Sequence, residues 1–211
     1  MTTYPNEDEQ LEAVKKWWSE NGKSIVLGVV LGFSALFGWQ GWQSYQLAQG
    51  QAASDLYTAM LNQATSGDIE SASATGKRLL GEHTGSVYAG FAALKLAQFA
   101  YARGDKPGAV GHLEWVSSNV SEEVFADLAK VRLARLQLDL GQVDAAEAQL
   151  NAVYPGFMPG VVAELRGDIA QANGDLEAAR QAYILALASG EEVLQTVRMK
   201  LLAIGSAEES S

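Results

Sequence analysis

Hydrophobic and polar positions divide the chain into one long apolar run followed by a series of short amphipathic segments. From Ser24 to Trp42 no charge interrupts Ile25-Val26-Leu27-Gly28-Val29-Val30-Leu31-Gly32-Phe33, and the run continues through Leu36 and Phe37 to Trp39 and Trp42. As a helix this length crosses roughly 30 Å of hydrocarbon, so it predicts a single transmembrane span over 24–42. Its Ile, Val, Leu and Phe residues together favour insertion by on the order of 3 to 5 kcal/mol. A cleaved signal peptide would carry a shorter apolar core behind a short basic head. Here a 23-residue head carries Glu7, Asp8, Glu9, Glu12 and Glu20, so the run reads as an uncleaved anchor.

Beyond the span the apolar positions recur at helical spacing and predict helices at about 44–65, 68–81, 86–102, 106–118, 122–140, 143–153, 159–173 and 176–188. A ninth is predicted at 191–204, with Leu194, Val197, Leu201 and Ile204 in one stripe, as expected of a helix closing a solenoid end. No segment from Gln43 onward reads as a strand. Pairs of helices are joined at Gly67, Gly104, Gly141 and Gly174, which stand 37, 37 and 33 residues apart. Five residues after each glycine stands an alanine: Ala72, Ala109, Ala146 and Ala179. Seven before the last three stand Ala97, Ala134 and Gly167, and nine after them Leu113, Leu150 and Tyr183. Small residues at the first two places let antiparallel helices cross closely, and a turn glycine supplies the positive φ that ends the first helix. The first unit fits worst, with Met60 and Gly76 at the last two places. The pattern resembles the tetratricopeptide repeat, with a 34-residue period. The fold class predicted is all-α: one transmembrane helix, then an α-solenoid of tetratricopeptide-like helix pairs. The expected divisions are a head at 1–23, the span at 24–42, the repeat domain at 43–204 and a disordered tail at 205–211.

Charge sets the orientation. Lys15, Lys16 and Lys23 precede the span, and no basic residue follows until Lys77, so the N-terminus is expected in the cytoplasm. Trp17 and Trp18 before the span, and Trp39, Trp42 and Tyr45 after it, suit the two headgroup layers. Gly28 and Gly32 have the spacing that lets a second transmembrane helix approach. Residues 43–211 hold 12 Lys and Arg against 20 Asp and Glu, which argues against nucleic acid as a partner.

Chemistry is sparse. The chain has no cysteine, and His83 and His112 lie 29 residues apart without companions, so no metal site, cofactor site or catalytic residue is expected. Acidic pairs such as Glu122-Glu123 and Glu191-Glu192 read as helix starts, where negative charge favours the dipole. Arg103-Gly104-Asp105 is a repeat turn, and Arg166-Gly167-Asp168 falls inside a helix. Projecting the first helix of each pair onto a concave face exposes Tyr57 and Leu61; Phe91, Leu94, Gln98 and Tyr101; and Leu128, Val131, Arg135 and Leu138. This predicts a greasy groove for a segment of another protein, with an acidic patch from Glu164 and Asp168 at its far end. Arg135 is the one basic residue on the projected face, which disfavours capture of an acidic tail.

The whole chain also resembles the YfgM family of bacterial inner-membrane proteins, the ancillary subunits of the SecYEG translocon. The likeness runs from Asn6-Glu7-Asp8-Glu9-Gln10-Leu11-Glu12-Ala13-Val14-Lys15-Lys16 through Glu20-Asn21-Gly22-Lys23 into Gly28-Val29-Val30-Leu31-Gly32 and Gly38-Trp39. It resumes at Val131-Arg132-Leu133-Ala134-Arg135, at Ala163-Glu164-Leu165-Arg166-Gly167-Asp168, at Asn173-Gly174-Asp175 with Ala178-Ala179-Arg180, and at Met199-Lys200. The resemblance implies a single-span protein whose periplasmic repeats associate with the translocon and with the membrane-anchored chaperone PpiD, helping exported polypeptides pass to periplasmic chaperones. The same fold and anchor would also serve a scaffold organising cell-envelope or division enzymes.

Overall fold

The computed structural model describes residues 7–190 and 194–208. It divides into two compact units, Met1–Gln51 and Ala52–Ser211. Helix α1 (Glu7–Thr65) contributes its first part to one unit and its residues from Ala52 to the other. Separate helices were expected for the span and for 44–65, but α1 is continuous. No proline stands between Lys23 and Thr65, and isolated glycines cost a helix only about 1 kcal/mol each.

In the first unit the apolar run lies bare. Val26, Leu27, Val29, Val30, Leu31, Phe33, Leu36 and Phe37 are all more than half exposed, as are Trp17, Trp18, Trp39, Trp42 and Tyr45. In water each large apolar side chain left unburied forgoes about 1.5–3 kcal/mol. A helix apolar on every side and covered on none has hydrocarbon as its solvent. An added Cβ at Gly28 or Gly32 would meet nothing within 4 Å, so both leave open places on that helix.

The second unit stacks eight further helices: α2 (Ile69–Glu82), α3 (Val87–Ala102), α4 (Lys106–Asn119), α5 (Glu123–Asp139), α6 (Val143–Asn151), α7 (Pro159–Ala172), α8 (Leu176–Ala188) and α9 (Leu194–Glu208). No strand occurs among the described residues. The four turn glycines all have positive φ, between 74° and 86°. At each turn the residue after the glycine donates its N–H to the carbonyl five residues back: Asp68 to Gln63, Asp105 to Ala100, Gln142 to Gln137 and Asp175 to Ala170. That bond closes the Schellman end of the first helix. Asp68, Asp105 and Asp175 then cap the second helix through the N–H groups of Ser71, Gly108 and Ala178. Glu122 occupies the N-cap of α5 without a side-chain hydrogen bond, and the Glu191-Glu192 pair lies outside the described residues.

The core is built in series. One cluster joins the end of α1 to α2 and α3 through Ala53, Met60, Ala72, Leu79 and Leu96. The next joins α3, α4 and α5 around Ala97, Leu113 and Leu133, and a third α5, α6 and α7 around Ala134, Leu150 and Leu165. The last joins α7, α8 and α9 around Tyr183, Val197 and Ile204. Leu201 packs against that last cluster, so three of the four predicted stripe residues close the stack; the side chain of Leu194 lies outside the described residues. Helix α9 continues to Glu208, past the expected start of the tail at 205, since Ser206, Ala207 and Glu208 offer no helix stop.

The misfit of the first repeat is resolved by packing. Gly167 faces Tyr183, whose Cδ1 would lie 2.5 Å from an added Cβ, so the largest residue of one series meets the smallest of the other. At Gly76 an added Cβ would lie 2.9 Å from Met60 Cε and 3.1 Å from Leu96 Cδ2. The first repeat has exchanged large and small between its two helices, and the same space is filled from the opposite side.

Candidate partner-binding face

Three successive first helices carry the candidate face. Near its start, aromatic rings form a ladder from α1 to α5: Tyr57 stands 6.0 Å from Tyr88 and 5.7 Å from Phe91, and Phe91 meets Phe125 edge-on at 4.9 Å. These separations fall in the range of favourable aromatic pairs. Gly90 makes the approach of α5 possible, since a Cβ there would press on Val120 Cγ2 at 3.2 Å and Phe125 Cδ1 at 3.3 Å. Phe91 remains 41% exposed. Burial pushes the Tyr57 hydroxyl pKa up.

Further along the α3–α5 seam lies a cleft of about 490 Å³. Leu94, Ala97, Ala109, Leu113 and Leu136 supply apolar lining, with Gln98, Tyr101, Arg132, Arg135 and Asp139 as its polar lining. The Tyr101 hydroxyl donates to Asp139 Oδ2 at 3.2 Å, and Lys106 Nζ lies 2.7 Å from the same oxygen. The Lys106 hydrogen bond holds the Asp139 carboxyl pKa below its ordinary value. Lys95 Nζ donates to Gln98 Oε1 at 3.2 Å.

The far end is closed. Glu164 is buried at 4% exposure and held by Arg135 Nη2 at 3.3 Å and by Lys200 Nζ of α9 at 2.8 Å. Lys200 also lies 2.7 Å from Asp168 Oδ1 and 5.7 Å from the centre of the Tyr183 ring. The Tyr183 hydroxyl donates to Asp168 Oδ1 at 2.8 Å. Desolvation, and then that bond, raise its pKa strongly. The expected acidic patch is therefore an internal ion network that ties α9 to α7.

The ten residues projected onto the face separate into three groups. Phe91, Gln98, Tyr101 and Arg135 are exposed, and Tyr57, Leu61, Leu128 and Leu138 are half-buried. Leu94 and Val131 are buried at 6% and 4% exposure, which corrects their placement as open contacts. Leu94 forms part of the cleft lining, and Val131 turns into the α5–α7 core. The projection missed Tyr88, Phe125, Arg132 and Asp139. Tyr88 and Phe125 each stand 16 residues before their turn glycine, one step further on the same face, so their signal was present. Among the described residues no group of three His, Cys, Asp or Glu side chains gathers to hold a metal.

Residues 15–206 match the tetratricopeptide repeat-like domain family. A protein of Escherichia coli (strain K12) is 34% identical over 183 residues, covering 87% of this chain and 88% of its own. A protein of Haemophilus influenzae is 33% identical over 196 residues, covering 92% and 96%. One from Neisseria gonorrhoeae is 26% identical over 202 residues, covering 92% and 97%. All three are named ancillary SecYEG translocon subunit. On kinship that runs through both the span and the repeats, the chain belongs to the family of ancillary SecYEG translocon subunits.

Proposed function

We propose that this chain is a membrane-anchored periplasmic adaptor of the SecYEG translocon that works with the chaperone PpiD to pass exported polypeptides onward. It is a single-pass inner-membrane protein with its N-terminus in the cytoplasm and its repeat domain in the periplasm, and it is not an enzyme. Kinship over most of its length with named translocon subunits carries the adaptor reading. Two features support its division of labour. The open glycine step at Gly28 and Gly32 suits a lateral contact with another transmembrane helix, and the ladder of Tyr57, Tyr88, Phe91 and Phe125 suits an apolar segment of a partner. A head at 1–23, a span at 24–42 and a repeat domain from 43 whose last helix runs to Glu208 suit this arrangement.

Photocrosslinking in living cells tests the proposal, with probes at Gly28 in the span and at Phe91 and Gln98 on the repeats. Adducts to a translocon subunit from Gly28, and to PpiD or an exporting chain from the repeats, are the expected outcome. Adducts to cell-wall synthases alone would replace the reading with that of a cell-envelope scaffold.

A further inference from the structure

We propose that the cleft between α3 and α5 recognises an extended segment of a partner protein in which an acidic side chain stands between aliphatic ones, with Arg132 reading the carboxylate. This deepens the adaptor reading, on which the source of the segment rests.

Of the three charged side chains lining the cleft, Arg132, Arg135 and Asp139, two are already paired. Asp139 is neutralised by Lys106 at 2.7 Å, and Arg135 is engaged with Glu164 at 3.3 Å. Arg132 lines the same cleft, and among the described residues no carboxylate lies within ion-pair distance of it. Desolvation lowers its pKa with no neighbouring charge opposing the shift. Arg132 is exposed at the cleft wall, and a guanidinium left there without a counter-ion can hold a carboxylate by two parallel hydrogen bonds. Gln98 adds a second donor: its Oε1 is taken by Lys95, which leaves its amide nitrogen to donate.

The remaining lining selects what flanks the carboxylate. Leu94, Ala97, Leu113 and Leu136 form an apolar floor to the cleft, each only 4–6% exposed. The chain carries a net charge of −10, so acidic partners gain nothing from long-range attraction, and recognition depends on close contact within about 8 Å at physiological salt. A purely acidic peptide would forgo the apolar lining, and a purely apolar one would leave Arg132 unpaired. A cleft of about 490 Å³ falls within the range of small-ligand sites. The seam then leads on to the exposed ring of Phe91, which favours a segment over a free small acid.

The test is a titration of the full chain in detergent micelles with acetyl-Leu-Glu-Leu-amide and acetyl-Leu-Gln-Leu-amide, following the Arg132 Nε–H resonance. Glutarate serves as the free-acid probe. The glutamate peptide is expected to move that resonance and to bind roughly tenfold more tightly than the glutamine peptide, the effect of one charge-assisted bond. In Arg132→Gln the two peptides are expected to bind equally, with the unfolding midpoint unchanged. Equal affinities in the native chain, discrimination that survives R132Q, or no binding would each overturn the assignment. Glutarate binding as tightly as the glutamate peptide would overturn the segment. Co-purification of R132Q with the translocon separates the two readings. Retained association with lost discrimination is the expected pairing, whereas failure of the native chain to co-purify would sink the adaptor reading and leave the carboxylate site standing.

Discussion

The exchange of large and small residues in the first repeat makes a quantitative prediction about Met60 and Gly76. Met60 is fully buried, and its Cε lies 2.9 Å from the place a Cβ on residue 76 would take. Met60→Ala removes that filling and is expected to cost about 3 kcal/mol, within the 2–5 kcal/mol of buried Met to Ala changes. Gly76→Leu forces a side chain into space held by Met60 and Leu96. Overpacking of about 3 kcal/mol, offset by about 1 kcal/mol of helix propensity gained over glycine, leaves a cost of about 2 kcal/mol. If the two sites were independent, the double variant would lose the sum, about 5 kcal/mol. Because each change removes what is wrong with the other, the double variant recreates the arrangement of Ala97 with Leu113 and is expected to lose about 2 kcal/mol. That leaves a coupling of about 3 kcal/mol. Urea unfolding of the full chain in detergent, followed by circular dichroism at constant slope, measures all four corners of the cycle. Additivity within about 0.5 kcal/mol would refute the idea that the repeat swapped its side chains across one shared space.

Gly167→Ala is expected to destabilise the protein by about 1–3 kcal/mol through collision with the buried ring of Tyr183, and restoration of the unfolding midpoint by a second change, Tyr183→Leu, would localise the cause. Lys200→Met takes a cation from buried Glu164 and from Asp168 and is expected to cost about 3 kcal/mol; limited proteolysis should then cut α9 first, and an unchanged digestion pattern would show that the ion network does not hold the helix. Gly104→Ala, at φ 79°, is expected to cost about 1–2 kcal/mol, read as a lower thermal midpoint. His112 titrates below its ordinary value, first through desolvation and then through the charge of Lys77. The unfolded chain therefore binds more protons just below pH 6.5, so stability is complete above that pH and falls as pH drops through the folded pKa. His112→Gln should flatten unfolding midpoints measured across pH 7 to 5.

Repeat architecture was legible because its signals are local. A glycine with positive φ, an alanine five residues on and an aspartate cap each act within one turn, and the boundaries of α3, α4, α7 and α8 fell within a residue or two of expectation. The end of α6 at Asn151 came two residues early, since Pro155 and Gly156 set up a loop that the apolar rhythm of Val153 and Tyr154 concealed. The binding face was harder because exposure depends on neighbours far apart in sequence. Val131 satisfies the same spacing rule as Tyr57, yet the core it joins is completed by Leu165 and Ile169. Glu164 and Asp168 had a charge pattern that suggested an open acidic surface, while the lysine that closes it stands 36 and 32 residues later. Arg132 was left off the projected face because it lies one position away from Val131 in that register.

Four small cores in series have a further consequence for how the protein is made. The first can form once Leu96 has emerged, the next once Leu136 has followed, and the last is complete only with Ile204. Each draws on neighbouring helices, so loop-closure costs stay low and order can propagate from one end. A chain threaded across a membrane with its N-terminus held back would acquire structure from the bilayer outward, one helix pair at a time, without waiting for its C-terminus. The ion network of Lys200 with Glu164 and Asp168 can close only after α9 has followed α7 across the membrane.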